Sequence, residues 1–188
     1  MAETAQGKLI RWHYLWSAGI ALAAMIAVIW SRNPWLLNFT HVFCGLLWTG
    51  VDLFMGFMLG PILRTVDVAA RKAVLLQLTP RTLFLMPTLA IITGTTGWYQ
   101  AEYLGFTTLN WPDYGWVAAA LALVTLMTLQ GLGYLLPVNL RVCLELQKDK
   151  PDNSKIAALT HHYFLAVALQ GAMQIVTIIV MARFATGI

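Results

Sequence analysis

Apolar residues occupy this chain in five long blocks, and the polar and charged residues gather between the blocks instead of alternating within them. Neither the two-residue period of a half-buried strand nor the narrow apolar stripe of a soluble helix runs through them. Each block is close to the ~20 residues that a helix needs to cross a hydrocarbon core. They fall at 14–30, 41–63, 82–99, 116–138 and 156–182. The second starts at Asn38 or His41, and the fifth is long enough to tilt or protrude. Lipid offers backbone N–H and C=O groups no partner, so all five are expected to be helices. The pattern predicts an all-α polytopic membrane bundle of five transmembrane helices, with 1–188 as one integral membrane domain and no separate soluble domain.

Composition sharpens this picture. Hydrophobic residues make up 59% and charged residues 11% of the chain, against roughly a quarter charged in ordinary globular domains; the mean hydropathy is +0.69. The few cations are distributed to one side. Lys8 and Arg11 precede the first block, Arg64, Arg71, Lys72 and Arg81 lie between the second and third, and Arg141, Lys148, Lys150 and Lys155 lie between the fourth and fifth. The other side holds Arg32, Arg183 and the segment AEYLGFTTLNWPDY, with interface-type Tyr103, Trp111 and Tyr114. Because cytoplasmic flanks carry excess Lys and Arg, the N-terminus is expected inside and the C-terminus outside a cytoplasmic (inner) membrane. The net charge of +4 then reflects loops facing anionic lipid, and nucleic acid is not called for as a partner. The first block has a basic start like a signal peptide, but Trp30, Arg32, Asn33 and Pro34 follow it in place of a small-residue cleavage site, so it is expected to remain as an anchor.

Against this background the stretch HVFCGLLWTGVD, 41–52, stands out. His41, Gly45, Trp48 and Asp52 advance by four, three and four positions, which keeps them on one helical stripe, with Cys44 at its border. A carboxylate near mid-bilayer costs roughly 2.5–3.5 kcal/mol on insertion scales, so Asp52 is expected to face the bundle interior. Two readings stay open for it: a hydrogen bond to a neighbouring helix, with Gln130, Thr93, Thr95 or Gln170 as partner, or a functional site that accepts or relays a proton. Gln170 and Gln174, one turn apart beside Gly171, form a second inward stripe. Gly56 and Gly60, Gly94 and Gly97, and Gly131 and Gly133 are signatures of close helix packing. The two cysteines, Cys44 and Cys143, fall on opposite sides, so no disulfide joins them, and no thiolate cluster exists for zinc or iron–sulfur. No HExxH motif, phosphate loop or nucleophile–base set supports a hydrolase or a nucleotide-driven pump.

The spacing H-x6-W-x-G of His41, Trp48 and Gly50, followed by GPILR at 60–64, Arg71, Arg81, Pro87 and a closing GTTGW at 94–98, resembles a group of small bacterial membrane proteins. These are the copper resistance protein CopD type, the HemJ-type protoporphyrinogen oxidases and the membrane domain of PuuD-type urate oxidases. The resemblance covers about 37–100, a third of the chain, and no lysine lies within the third block where a HemJ-type second ligand would stand. It implies that His41 ligates a haem b from the outer half of the second span, supported by Trp48 and Gly50, with an electron-transfer role. A second, inner site would pair His13 with His161 or His162, about 30 Å from His41. Met181 and Met25 are softer candidates for a second axial ligand at the outer site. The CopD likeness carries an alternative, a copper-handling permease using His41, Cys44, Met55 and Met58, since thioethers suit Cu(I). A third reading is a non-catalytic subunit of a larger respiratory or photosynthetic complex. The expected partners are the lipid bilayer, a redox protein or such a complex, and further copies or other subunits in an oligomer.

Overall fold

The computed structural model describes residues 13–186, which leaves Lys8, Arg11 and Trp12 outside the described residues. Among the described residues five helices are long and apolar enough to cross a membrane: α1 His13–Ser31, α2 Pro34–Thr65, α3 Val68–Tyr103, α4 Tyr114–Leu146 and α5 Asn153–Thr186. Among the described residues there is no strand. The chain is a multi-pass membrane protein, and the five blocks of the hydropathy pattern each lie within one helix. The helices overrun the blocks, most of all α3, which starts at Val68 where the apolar run starts at 82. Hydropathy sees only the part of a helix that lipid would touch. The first turns of α3 carry Arg71, Lys72 and Gln77, and they are helical because Asp67 caps them, its Oδ1 accepting from Ala69 N and Ala70 N at 2.9 Å.

The turns alternate between two ends of the bundle. One end, basic, holds the start of α1, the α2–α3 turn and the α4–α5 loop. The other, rich in aromatics, holds the α1–α2 turn, the α3–α4 loop and the end of α5. At the aromatic end Asn33 caps α2 and Pro34 opens it, a placement that uses proline where no N–H is missed. Arg183 there lies over the Trp116 ring, 4.7 Å from its centroid. At the basic end the Arg71 guanidinium donates to the Leu63 carbonyl at 2.6 Å and closes the C-terminus of α2. The segment LELQKDKPDNSK, which reads as a solvated loop, is anchored: Glu145 is buried and pairs with Lys148 at 2.8 Å and Lys155 at 3.1 Å.

α2 packs against α3 along much of its length and against α5, while α1 packs chiefly on α3 and α2. Small residues make the α2–α5 approach possible. A Cβ at Gly56 would lie 2.5 Å from Ala168 Cα, one at Gly60 2.8 Å from Phe164 Cβ, and one at Gly171 2.9 Å from the Leu53 side chain. Gly97 likewise admits a close neighbour, but Gly94 and Gly133 have nothing within 4 Å of a built Cβ and serve no close helix contact.

Two helices widen locally to a π turn, at Phe54–Leu59 in α2 and Gly131–Leu135 in α4. Each segment ends two residues before a proline, Pro61 or Pro137. A proline ring collides with the carbonyl four residues earlier, and lengthening the turn relieves that collision. The two halves of α4 pack differently: Leu136–Leu146 lies on both α3 and α5, whereas Tyr114–Gln130, before the π segment, lies on α5 and stands away from α3.

Candidate functional site

The stripe His41, Gly45, Trp48 and Asp52 forms as a continuous face of α2, and its two ends meet different helices. At the His41 end it meets α3. Gln100 Nε2 donates to Asn38 Oδ1 at 2.7 Å, and one turn further in His41 Nδ1 lies 2.9 Å from the Thr93 carbonyl. A carbonyl only accepts, so Nδ1 carries the hydrogen, and in the neutral ring the lone pair is on Nε2. The imidazole lies against Gly97, where a Cβ would come within 2.7 Å of Cε1 and 2.9 Å of Nδ1. Glycine at 97 therefore leaves the room that the ring occupies. Beside it the Thr93 hydroxyl oxygen and Gln100 Oε1 are buried without a hydrogen-bond partner.

At the Asp52 end the stripe meets α5. Asp52 is 1% exposed, and its Oδ2 accepts from Gln170 Nε2 at 3.2 Å and Gln174 Nε2 at 3.0 Å. The inward stripe of α5 is thus the partner of the inward acid of α2. Gln130 turns elsewhere, donating to the Ala166 carbonyl at 2.7 Å. Trp48, the tryptophan that sits within a span, is buried with Cys44, Met25 and Met127 in one apolar cluster.

Beside Asp52 and Trp48 opens a chamber of about 450 Å³. It occupies the gap that α4 leaves when it parts from α3, and Gly94 on α3 and Gly131 on α4 line it. Its basic-end limit is a polar contact between α4 and α3, Asn139 Nδ2 donating to Thr82 Oγ1 at 3.1 Å. The sequence pattern shows the acid and the glutamines; it does not show the chamber, because a void needs the divergence of two helices. The available signal was Pro137 inside an apolar run.

The other candidates are more dispersed. His41 does not line the chamber. Gly50 is exposed, with nothing within 4 Å of a built Cβ. His13 is exposed and its ring neighbours Tyr14 at 4.0 Å. His161 and His162 are both exposed on α5 with ring centroids 5.6 Å apart; the structure pairs them with each other and sets α1 on α3 and α2. Cys44 and Met55 belong to separate buried clusters, and Met58 is exposed. Among the described residues no three His, Cys, Asp or Glu side chains gather as a metal group. Both cysteines are free.

The fold defines a class, a five-span α-helical membrane protein with a polar centre inside the bundle. Comparison with known protein families, characterised proteins and solved structures finds no match to the chain.

Proposed function

We propose that this protein is a haem b-binding redox protein of the cytoplasmic membrane, with His41 as an axial ligand and Asp52 as a proton-holding group. The observation that carries the reading is the hydrogen bond from His41 Nδ1 to the Thr93 carbonyl. A ligating histidine typically fixes its ring by donating its other N–H to a carbonyl or carboxylate, which presents the free nitrogen to the metal and raises its basicity. The Gly97 cradle adds to this by holding the ring plane.

Haem, when bound, supplies a one-electron couple whose potential the axial ligand and burial set. The chain's own residues do the remaining work. His41 would hold the iron through Nε2, with the Thr93 carbonyl orienting its ring. Asp52 lies eleven residues further along α2, about 16 Å at 1.5 Å per residue. Its carboxylate, held by two amides, takes or gives a proton inside the bundle while the charge elsewhere on the protein changes. A redox protein or a larger membrane complex would receive the electron.

The test is haem content per chain after purification in detergent. His41→Ala is expected to lose it, and Asp52→Asn to retain it. Haem that persists in His41→Ala would contradict the assignment. Copper in place of haem, lost in the same variant, would favour a copper-handling permease, and a chain without either would favour a packing subunit.

A further inference from the structure

The chamber beside Asp52 has a donor deficit that the protein itself does not fill. Asp52 contributes a carboxylate, Gln170 and Gln174 spend their amide N–H groups on its Oδ2, and the Oε1 atoms of both glutamines are left buried without a partner. Gln170, 3% exposed, places Oε1 3.9 Å from a Cβ built at Gly131 and thus at the chamber wall. Among the described residues no Lys or Arg lines the chamber. A buried carboxylate is ordinarily paired with a cation or neutralised, and the orphaned Oε1 asks for an N–H or O–H donor.

The rest of the wall is mostly apolar and aromatic, with hydroxyls from Thr82, Thr95, Thr128 and Tyr163 and the amide of Asn139 among it. Trp48, Trp98, Met86, Met127 and Leu135 face the space, and indole faces attract organic cations. A volume of about 450 Å³ suits a small organic molecule and is far larger than a bare metal ion needs. Several lining residues on α3 and α4 are also exposed on the protein surface, among them Ile91, Trp98 and Leu132. The chamber therefore opens sideways between α3 and α4, toward the lipid, where an amphiphile would already be concentrated.

From these features we propose that the chamber is a binding site for a lipophilic organic cation bearing N–H donors, with Asp52 as its counter-charge, Gln170 as its acceptor and the two tryptophans against its apolar body. The site is separate from the His41 seam and shares only Asp52 with the proposed function, so it is tested without reference to haem.

Ethidium, a flat aromatic cation with amino groups, is the probe, titrated by fluorescence into the purified full-length protein. Saturable binding of one probe per chain is expected, at least tenfold weaker in Asp52→Asn and unchanged in Asp67→Asn at the exposed α3 cap. Gly94→Leu places a side chain in open space on the chamber wall and is expected to weaken binding at least tenfold with Asp52 intact. It decides the question if Asp52→Asn fails to fold. His41→Ala is expected to bind as the wild type does, which separates this test from the haem assay. Wild-type affinity in Gly94→Leu or in a folded Asp52→Asn would overturn the proposal. So would equal binding of 9-methylanthracene, a neutral ring system, or displacement of the probe by sodium in place of potassium.

Discussion

Asp52 joins α2 to α5 at the polar centre of the bundle. Its two amide partners are buried with it, and replacing the carboxylate by an apolar group leaves them without an acceptor. Each buried amide so stranded costs about 1–3 kcal/mol. Asp52→Leu is therefore expected to lower the thermal unfolding midpoint in detergent well below that of Asp52→Asn, which keeps a carbonyl acceptor. Equal midpoints would mean that the Gln170 and Gln174 contacts carry no stability. The acid and its glutamines could be seen in the sequence, because polar side chains on an apolar stripe must find one another. Which glutamines they were could not be seen, since Gln130 and Gln170 look alike until the packing turns one toward Asp52 and the other toward the Ala166 carbonyl. His41 was legible as an inward residue; its acceptor was not, because the Thr93 carbonyl is a backbone group and leaves no mark in the composition.

At the scale of elements, the α2–α5 contact depends on missing side chains. Gly56→Leu would drive carbon into the Ala168 backbone, which lies 2.5 Å from the first atom added. Overpacking of this kind costs about 1–3 kcal/mol or more, and a loss of thermal stability beyond that of Gly94→Leu is expected. The glycine pairs were read from the sequence as one class, yet only some touch a neighbour. Spacing alone does not distinguish a glycine that admits a helix from one that borders a void. The start of α5 is set by Asp152, whose Oδ1 accepts from Ser154 N at 2.9 Å and Lys155 N at 3.1 Å. Hydrogen bonds from Ser154 and then Lys155 hold its carboxyl below the usual range. A depressed folded value means that this capping contribution is present at neutral pH and fades as pH falls through it. Proteolysis in the 147–152 loop is accordingly expected to quicken in acid, and in Asp152→Ala to be fast and less dependent on pH. A wild type with no acid sensitivity beyond that variant would contradict it.

For the whole molecule, the cations gather at one end and the aromatic interface residues at the other, and α1–α5 alternate between them. A single cysteine at Lys150 is expected to react with membrane-impermeant thiol reagents only in inverted vesicles, and one at Asn110 only in intact cells with the outer barrier opened. The reverse result would turn the molecule over and place His41 in the inner half. The five-helix bundle could be read almost entirely from hydropathy, because lipid makes the same demand on every spanning segment. The π turns at Phe54–Leu59 and Gly131–Leu135 could not, since a proline in an apolar run does not say how its helix will accommodate it, and the chamber could not, since it needs two helices to diverge. The proposed haem b on His41 is tested most directly by the absorption spectrum of the purified wild type, oxidised and then reduced with dithionite. A sharp α band on reduction is expected, absent from His41→Ala prepared alongside. A colourless wild type, or a band that survives in the variant, would contradict it.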